Sequence, residues 1–129
     1  MDRGPVLVID AANVIGSRPT GWWKDRAGAA RSFVQGLRAA VSAGRLNGPV
    51  VVVLEGKARE GTPSATADGV TVVHAEGGGD DTLVDVVRGV PGEGGEAVVL
   101  VTADRELRRR AEALGADVVG PKWLLERLD

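Results

Sequence analysis

Cysteine is absent from the 129 residues of this chain. Its absence excludes disulfide-bonded scaffolds, thiolate metal sites and cysteine nucleophiles, and it suits a reducing compartment, so we expect a cytoplasmic protein. Long apolar runs are missing too, since the longest, such as VVVVL at 50–54, are far shorter than the ~20 residues of a membrane span. The N-terminus lacks the layout of a signal peptide, and we expect no association with a membrane.

Aromatic residues and net charge are also low, at 3% of the chain and -2 at pH 7. The core must therefore be built from small aliphatic side chains. No overall positive charge favours nucleic acid, so any RNA binding must use a local basic patch. The 43% of hydrophobic and 26% of charged residues are typical of a globular protein, and the length predicts one domain over 1–129.

Four valine-rich runs, at 5–9, 49–54, 70–74 and 97–101, are short and do not alternate with polar residues. Such runs are typical of strands buried on both faces in a parallel sheet. A weaker run at 116–120 predicts an edge strand, and amphipathic patterns predict helices over 25–43, 80–90, 104–114 and 121–128. We interpret 55–69 and the segment that follows Asp10 as loops. The order predicts an α/β fold, a three-layer, doubly wound, mostly parallel sheet of four to five strands.

Polar side chains follow all four main strands at the end where ligands bind in open parallel sheets. They are Asp10 and Asn13 after the first strand, Glu55 after the second, Asp80 and Asp81 after the third, and Thr102 and Asp104 after the fourth. Asp80, Asp81 and Asp104 also suit helix N-caps, which would be a purely structural role. Asp10 and Glu55 directly follow buried strands and are harder to explain in that way.

Several carboxylates at one edge of a sheet repel one another unless a cation separates them. Oxygen ligands without cysteine favour Mg²⁺ or Mn²⁺ over zinc, with Asp10, Glu55, Asp80 and Asp104 as the expected metal ligands. Such a site can activate water and hold the phosphoryl group in a displacement reaction. We expect the catalytic carboxylates to be Asp10, Asp80, Asp81 and Asp104, with Asn13 and Thr102 in support.

Basic and aromatic side chains follow the first strand and recur at the same predicted edge. Together they predict a surface for single-stranded RNA, because cations hold the backbone and aromatic rings stack on bases. The candidates are Arg18, Trp22, Lys24, Arg26, Lys57 and Arg105. The alternative for a tryptophan is packing against a helix, and for a single cation a solvated surface position. His74, the only histidine, is interpreted as a strand-end residue with a structural hydrogen bond.

Four stretches, VLVIDAANVIG, VVVVLEG, GGGDDTLVDVV and VLVTADRELRRRAEALGADVVG, closely resemble the NYN branch of PIN-like nucleases, which includes the YacP-type bacterial proteins. The resemblance covers nearly the whole chain in order. It implies a metal-dependent ribonuclease or an RNA-binding fold, with Asp10, Asp80 or Asp81, and Asp104 at the acidic positions. Asn13 and Thr102 match its supporting polar positions. The chain departs from the pattern at Glu55, where these proteins often carry aspartate.

Three other sheet folds lack their signatures here. A phosphatase of the haloacid dehalogenase type needs Asp where Ala12 stands, a receiver domain needs Asp where His74 stands, and a dinucleotide fold needs glycines that AANVIG does not supply. Two function classes remain. The first is a ribonuclease that hydrolyses RNA phosphodiester bonds at a carboxylate-bound Mg²⁺ or Mn²⁺. The second is a catalytically silent RNA-binding or protein-interaction module on the same fold, and the acidic set favours the enzyme.

Overall fold

The computed structural model describes residues 5–18, 21–89 and 97–128. Its strands form a single six-stranded sheet in the order β3-β4-β2-β1-β5-β6. The strands are β1 (Val6–Asp10), β2 (Val50–Leu54), β3 (Thr66–Ala67), β4 (Val70–His74), β5 (Val98–Val101) and β6 (Asp117–Val119). All pairings are parallel except that of β3 with β4. The expected α/β class and mostly parallel sheet are confirmed.

Among the described residues, five α-helices cover the two faces of the sheet. They are α1 (Ala11–Gly16), α2 (Arg26–Ser42), α3 (Gly79–Gly89), α4 (Arg105–Ala113) and α5 (Pro121–Leu128). Buried side chains of α1, α2 and α5 share one apolar cluster with one face of the sheet. Those of α3 and α4 share a second cluster with the other face. The three-layer, doubly wound arrangement is therefore present, and residue 90 of the predicted third helix lies outside the described residues.

Local signals place the helix ends close to where the sequence predicts them. Asp25 accepts a hydrogen bond from the amide of Gly28 at the start of α2, as an N-cap side chain does. Gly44 follows the end of this helix with a φ of 78°, and Gly115 follows α4 with a φ of 89°. These left-handed values suit glycine, which has no Cβ to clash there.

The prediction of four to five strands was wrong, because the sheet has six. The sixth strand, β3, is a two-residue antiparallel edge inside the segment interpreted as a loop, where a 3₁₀ helix (Gly56–Gly61) is also present. The segment after Asp10 likewise contains α1 and a 3₁₀ helix (Trp22–Lys24). Elements this short carry too few residues for a helical or alternating pattern to be visible, so tertiary contacts decide them.

The alternation of side chains along the strands determines which face each strand end presents. The cluster on the α3–α4 face includes Val6 and Val8 of β1, Val53 of β2, and Val98 and Leu100 of β5. Side chains two residues apart share a face, so Asp10, Glu55 and Thr102 continue these rows at the carboxyl ends of their strands. Three polar side chains thus extend the apolar face that α3 and α4 cover. Across the described residues, no helix is both long and apolar enough to cross a membrane.

Candidate active site at the carboxyl ends of the strands

The strand order reverses direction at β1. From β1 the chain moves outward through β2 to β4, and it then returns to the opposite side of β1 to form β5 and β6. The helix after β1 packs on one face of the sheet and the helix after β5 packs on the other. The two connections therefore diverge between β1 and β5, and the crevice left there is the usual ligand site of doubly wound sheets.

Asp10 and Thr102 close the floor of this crevice. The hydroxyl Oγ1 of Thr102 donates a hydrogen bond of 2.9 Å to Asp10 Oδ2, and it accepts one of 3.1 Å from the amide of Asp104. The two residues are only 8% and 3% exposed. Because the hydroxyl has one proton and that proton goes to Asp10, the orientation of the carboxylate relative to β5 is defined.

Asn13 joins the two diverging connections. Its backbone amide donates to Asp10 Oδ1 at 3.3 Å, which makes Asp10 the N-cap of α1. Its side-chain Oδ1 accepts a hydrogen bond of 2.8 Å from the amide of Ala103. Asn13 and Thr102, which were predicted as supporting residues, therefore both lie at the β1–β5 crevice. Asn13 bonds Oδ1 of Asp10 and Thr102 bonds Oδ2.

Burial raises the pKa of Asp10 from 3.8 to about 6. The hydrogen bonds from Thr102 and Asn13 lower it, while the nearby charges of Asp80 and Glu55 raise it further. Desolvation is the largest cause, since a carboxylate loses favourable hydration when it leaves water. Asp80 and Glu55 are therefore close enough for their charges to act on Asp10, as the convergence of strand ends predicts.

The other acidic candidates have partners of their own. Glu55 accepts a hydrogen bond on Oε2 from the backbone amide of Gly79, the first residue of α3. Asp104 accepts one of 2.9 Å from the amide of Leu107 and caps α4. The side chain of Asp104 thus has the N-cap role that the sequence analysis gave as the structural alternative.

The adjacent Asp80 and Asp81 face different surroundings. Asp81 is 87% exposed and forms an ion pair of 2.9 Å with Arg110 of α4, whereas the charge of Asp80 acts on Asp10. Within residues 5–18, 21–89 and 97–128, no three acidic or histidine side chains are gathered closely enough to hold a metal ion. The four carboxylates predicted as metal ligands thus do not form a metal-binding cluster among the described residues.

The basic and aromatic candidates divide among separate surfaces. Trp22 and Arg26 line a small pocket of about 80 Å³ with Glu55, and the guanidinium of Arg26 lies 5.4 Å from the centre of the Trp22 ring. Lys57 lines a second, more open pocket, and Arg18 lines a third groove between α1, α2 and α5. Lys24 and Arg105 are exposed. The candidates that line pockets are thus divided among three of them.

Some contributing residues escape sequence reasoning altogether. Arg59 donates to the carbonyls of Gly56 and Ala75, at 3.0 and 3.2 Å, and so ties the 3₁₀ helix after β2 to the end of β4. The glycine run before Asp80 did not by itself indicate a role for Gly79. That role is visible only in the structure, where the backbone amide of Gly79 donates to Glu55. His74 has the structural role expected of it, because its Nε2 bonds the carbonyl of Thr62 at 2.7 Å.

Comparisons with known proteins give a likeness in fold. No family model and no curated protein matches the chain. The crystal structure of a mutant of Rae1 (YacP) from Bacillus subtilis superposes with a TM-score of 0.66, covering 96% of this chain and 74% of that one. The two sequences are 18% identical, so the likeness concerns the fold. The chain has a YacP-like α/β fold.

Proposed function

We propose that this protein is a metal-dependent endoribonuclease whose active site is the crevice between β1 and β5. The observation that carries the proposal is the burial of Asp10 at the strand-order reversal, with Asp80 and Glu55 acting on it electrostatically. Titratable groups perturbed by burial and by specific charges are concentrated at functional sites. The resemblance of the motifs to NYN and PIN-like nucleases supports this reaction class, and the YacP-like fold agrees with it in architecture.

The donor set suits Mg²⁺ or Mn²⁺. Every candidate ligand is a carboxylate oxygen, and Mg²⁺ commonly uses one or two carboxylates together with waters and substrate phosphates. Asp10 and Asp80 meet that requirement without a closed cluster of three acidic residues. The ion would relieve the repulsion between these carboxylates. When bound, it would supply charge stabilisation at the phosphoryl group and lower the pKa of a water.

The protein's own groups prepare the crevice for a phosphodiester. Thr102 holds Asp10 with one oxygen toward β5, and Asn13 holds the connection after β5 in place. Fixed donors of this kind reduce the reorganisation needed when a charged substrate enters. Asp81, paired with Arg110, is proposed as part of the surface and not of the catalytic set, which leaves Asp80 as the functional member of the pair.

RNA is the proposed partner because aromatic and cationic groups adjoin the crevice. Trp22 and Arg26 share their pocket with Ala11 and Ala12, which directly follow Asp10. Backbone contacts from cations and stacking on an aromatic ring are the usual means of holding a single strand. We assign the holding of the strand near Asp10 to Trp22, Lys24 and Arg26, while Lys57 and Arg105 would contact the strand beyond that pocket.

Asp80→Asn and Asp85→Asn, two changes on α3, test the assignment. Asp85 is an exposed residue paired with Arg88 at 2.8 Å, so it is a matched control for the loss of one negative charge. Labelled single-stranded RNA is incubated with each protein in Mn²⁺, in Mg²⁺ and in excess chelator. We expect wild type and Asp85→Asn to cleave only with metal, and Asp80→Asn to lose about a hundredfold or more in rate, since even partners of ligands cost about 10–100-fold.

A catalytically silent RNA-binding or protein-interaction module is the second candidate. The observation that favours it is the lack of a ready three-residue metal cluster among the described residues, with Glu55 and Asp104 serving as helix caps. RNA binding without metal-dependent cleavage by wild type would support this module. Cleavage that survives complete removal of metal would contradict both candidates.

A further inference from the structure

Glu55 is the acidic candidate whose surroundings differ most from those of a metal ligand. Its Oε2 accepts the hydrogen bond from Gly79, the residue directly before Asp80. The first amides of a helix have no partner within the helix, and a carboxylate there is also favoured by the helix dipole. One oxygen of Glu55 is therefore committed to the start of α3.

Gly79 supplies a second, steric observation at the same contact. A Cβ placed on this residue would lie 2.5 Å from Glu55 Oε2 and 3.2 Å from the carboxyl carbon. No side chain fits unless Glu55 or the beginning of α3 moves. Gly79 is also buried, and its φ is not in the left-handed region, so backbone conformation alone gives no reason for glycine. A Cβ at this position would displace the carboxylate of Glu55, the end of a flexible side chain, so Gly79→Ala disturbs this contact more than the backbone.

We propose that Glu55 is a positioning residue, which anchors the first turn of α3 and thereby holds Asp80 at the β1–β5 crevice, and is not itself a metal ligand. This inference rests on the proposed function and refines its ligand set. The connection before α3 runs through Glu76, Gly77 and Gly78, all exposed, so the bond from Glu55 fixes a segment with few other restraints. The longer side chain of glutamate suits this role, because it spans from the end of β2 to the helix.

Glu55→Gln and Glu55→Ala separate the two roles. A glutamine carbonyl still accepts the Gly79 amide but has lost the charge that a metal ligand uses, whereas alanine removes both. We expect Glu55→Gln to retain Mn²⁺ affinity and cleavage within about fivefold, and Glu55→Ala to lose about tenfold or more in both, the usual effect of removing a group that orients a ligand. Gly79→Ala is expected to behave like Glu55→Ala.

Hydrogen exchange of the Gly79 and Asp80 amides, followed by NMR without metal, provides a readout independent of activity. Protection should persist in Glu55→Gln and fall at least about tenfold in Glu55→Ala, since the amide then loses its acceptor. Val87→Ala is the control for a general loss of stability, because Val87 lies in the buried face of the same helix. This variant should keep both the early α3 amides and the Mn²⁺ affinity close to wild type.

The outcomes distinguish this proposal from the proposed function. If Glu55→Gln loses Mn²⁺ affinity as severely as Asp80→Asn while the Gly79 amide stays protected, Glu55 is a ligand and the proposal is overturned. It is also overturned if Glu55→Ala keeps both protection and affinity. If wild type neither binds Mn²⁺ nor cleaves RNA, the ribonuclease assignment fails, and amide exchange in Glu55→Ala still decides whether Glu55 anchors α3.

Discussion

Asp10→Asn gives the sharpest test of the electrostatics at the crevice. The pKa of Asp10 rises from 3.8 in the unfolded chain to about 6 in the folded protein. A shift of roughly two units corresponds to about 3 kcal/mol of folding free energy lost when this buried group ionises, at about 1.4 kcal/mol per unit. Asparagine avoids that loss, but it weakens the two hydrogen bonds received by the carboxylate, at about 0.5–1.5 kcal/mol each. The expected net gain at pH 7 without metal is about 1 kcal/mol.

The pH dependence follows from the direction of the shift. The folded state binds the Asp10 proton more tightly than the unfolded state, so the favourable contribution is complete below pH 4 and is lost as the pH rises through 6. Wild type should therefore lose stability relative to Asp10→Asn across this window. The advantage of the variant should shrink as the pH falls and reverse by about 1–2 kcal/mol near pH 4, where Asp10 of folded wild type is neutral and the variant has only its weakened hydrogen bonds.

The assay is urea or thermal unfolding of both proteins from pH 4 to pH 8, with and without Mn²⁺. A gain of about 1 kcal/mol corresponds to roughly 4 °C in Tm for a domain of this size. Metal at a hundredfold excess over its Kd should stabilise wild type by about 2.7 kcal/mol and the variant by less. Parallel pH profiles for the two proteins would refute the strain at Asp10, and cleavage by Asp10→Asn at the wild-type rate would refute its catalytic role.

Two further predictions concern the RNA surface and the packing of α2. Replacing Lys24 and Arg26 by alanine should weaken RNA binding and reduce the slope of log affinity against log salt by about 0.7 for each lost phosphate contact; an unchanged slope in a binding titration would mean that the strand lies elsewhere. Gly61→Ala should destabilise the fold by about 1–3 kcal/mol in urea unfolding, because its Cβ would overlap a backbone carbonyl of α2. Gly36→Ala, on the open side of that helix, is the matched control and should stabilise by about 0.5–1 kcal/mol; equal effects of both changes would contradict the packing argument.

The long elements were predictable because each carries its own periodic pattern. The valine runs coincide with the four main parallel strands, and the pattern at 25–43 coincides with α2 to within a residue at each end. The glycines at 44 and 115 follow the ends of their helices in the left-handed conformation that glycine adopts easily. The crevice was also within reach of sequence reasoning, since parallel strands bring their carboxyl ends to one edge and alternation sets Asp10, Glu55 and Thr102 on one face.

The partners of the acidic side chains were beyond that reasoning. Asp81 pairs with Arg110 across 29 positions of sequence, and Glu55 meets Gly79 across 24. No local pattern records which of two adjacent aspartates faces a cleft, because a helix turns neighbouring side chains about 100° apart. The small edge strand β3 and the helix α1 were missed for a related reason, since their few residues are held by contacts made elsewhere in the fold.

The sequence by itself determined the layers, the main strands and the edge of the sheet at which the carboxylates gather. Each main helix and strand carries its own hydrophobic period, and parallel strands place their carboxyl ends at one edge. Only the tertiary structure decided what each carboxylate does there. Burial raises the pKa of Asp10, the start of α3 engages Glu55, and Arg110 of α4 pairs with Asp81. These roles depend on distances and on exclusion of water, which arise only when segments far apart in the chain pack together.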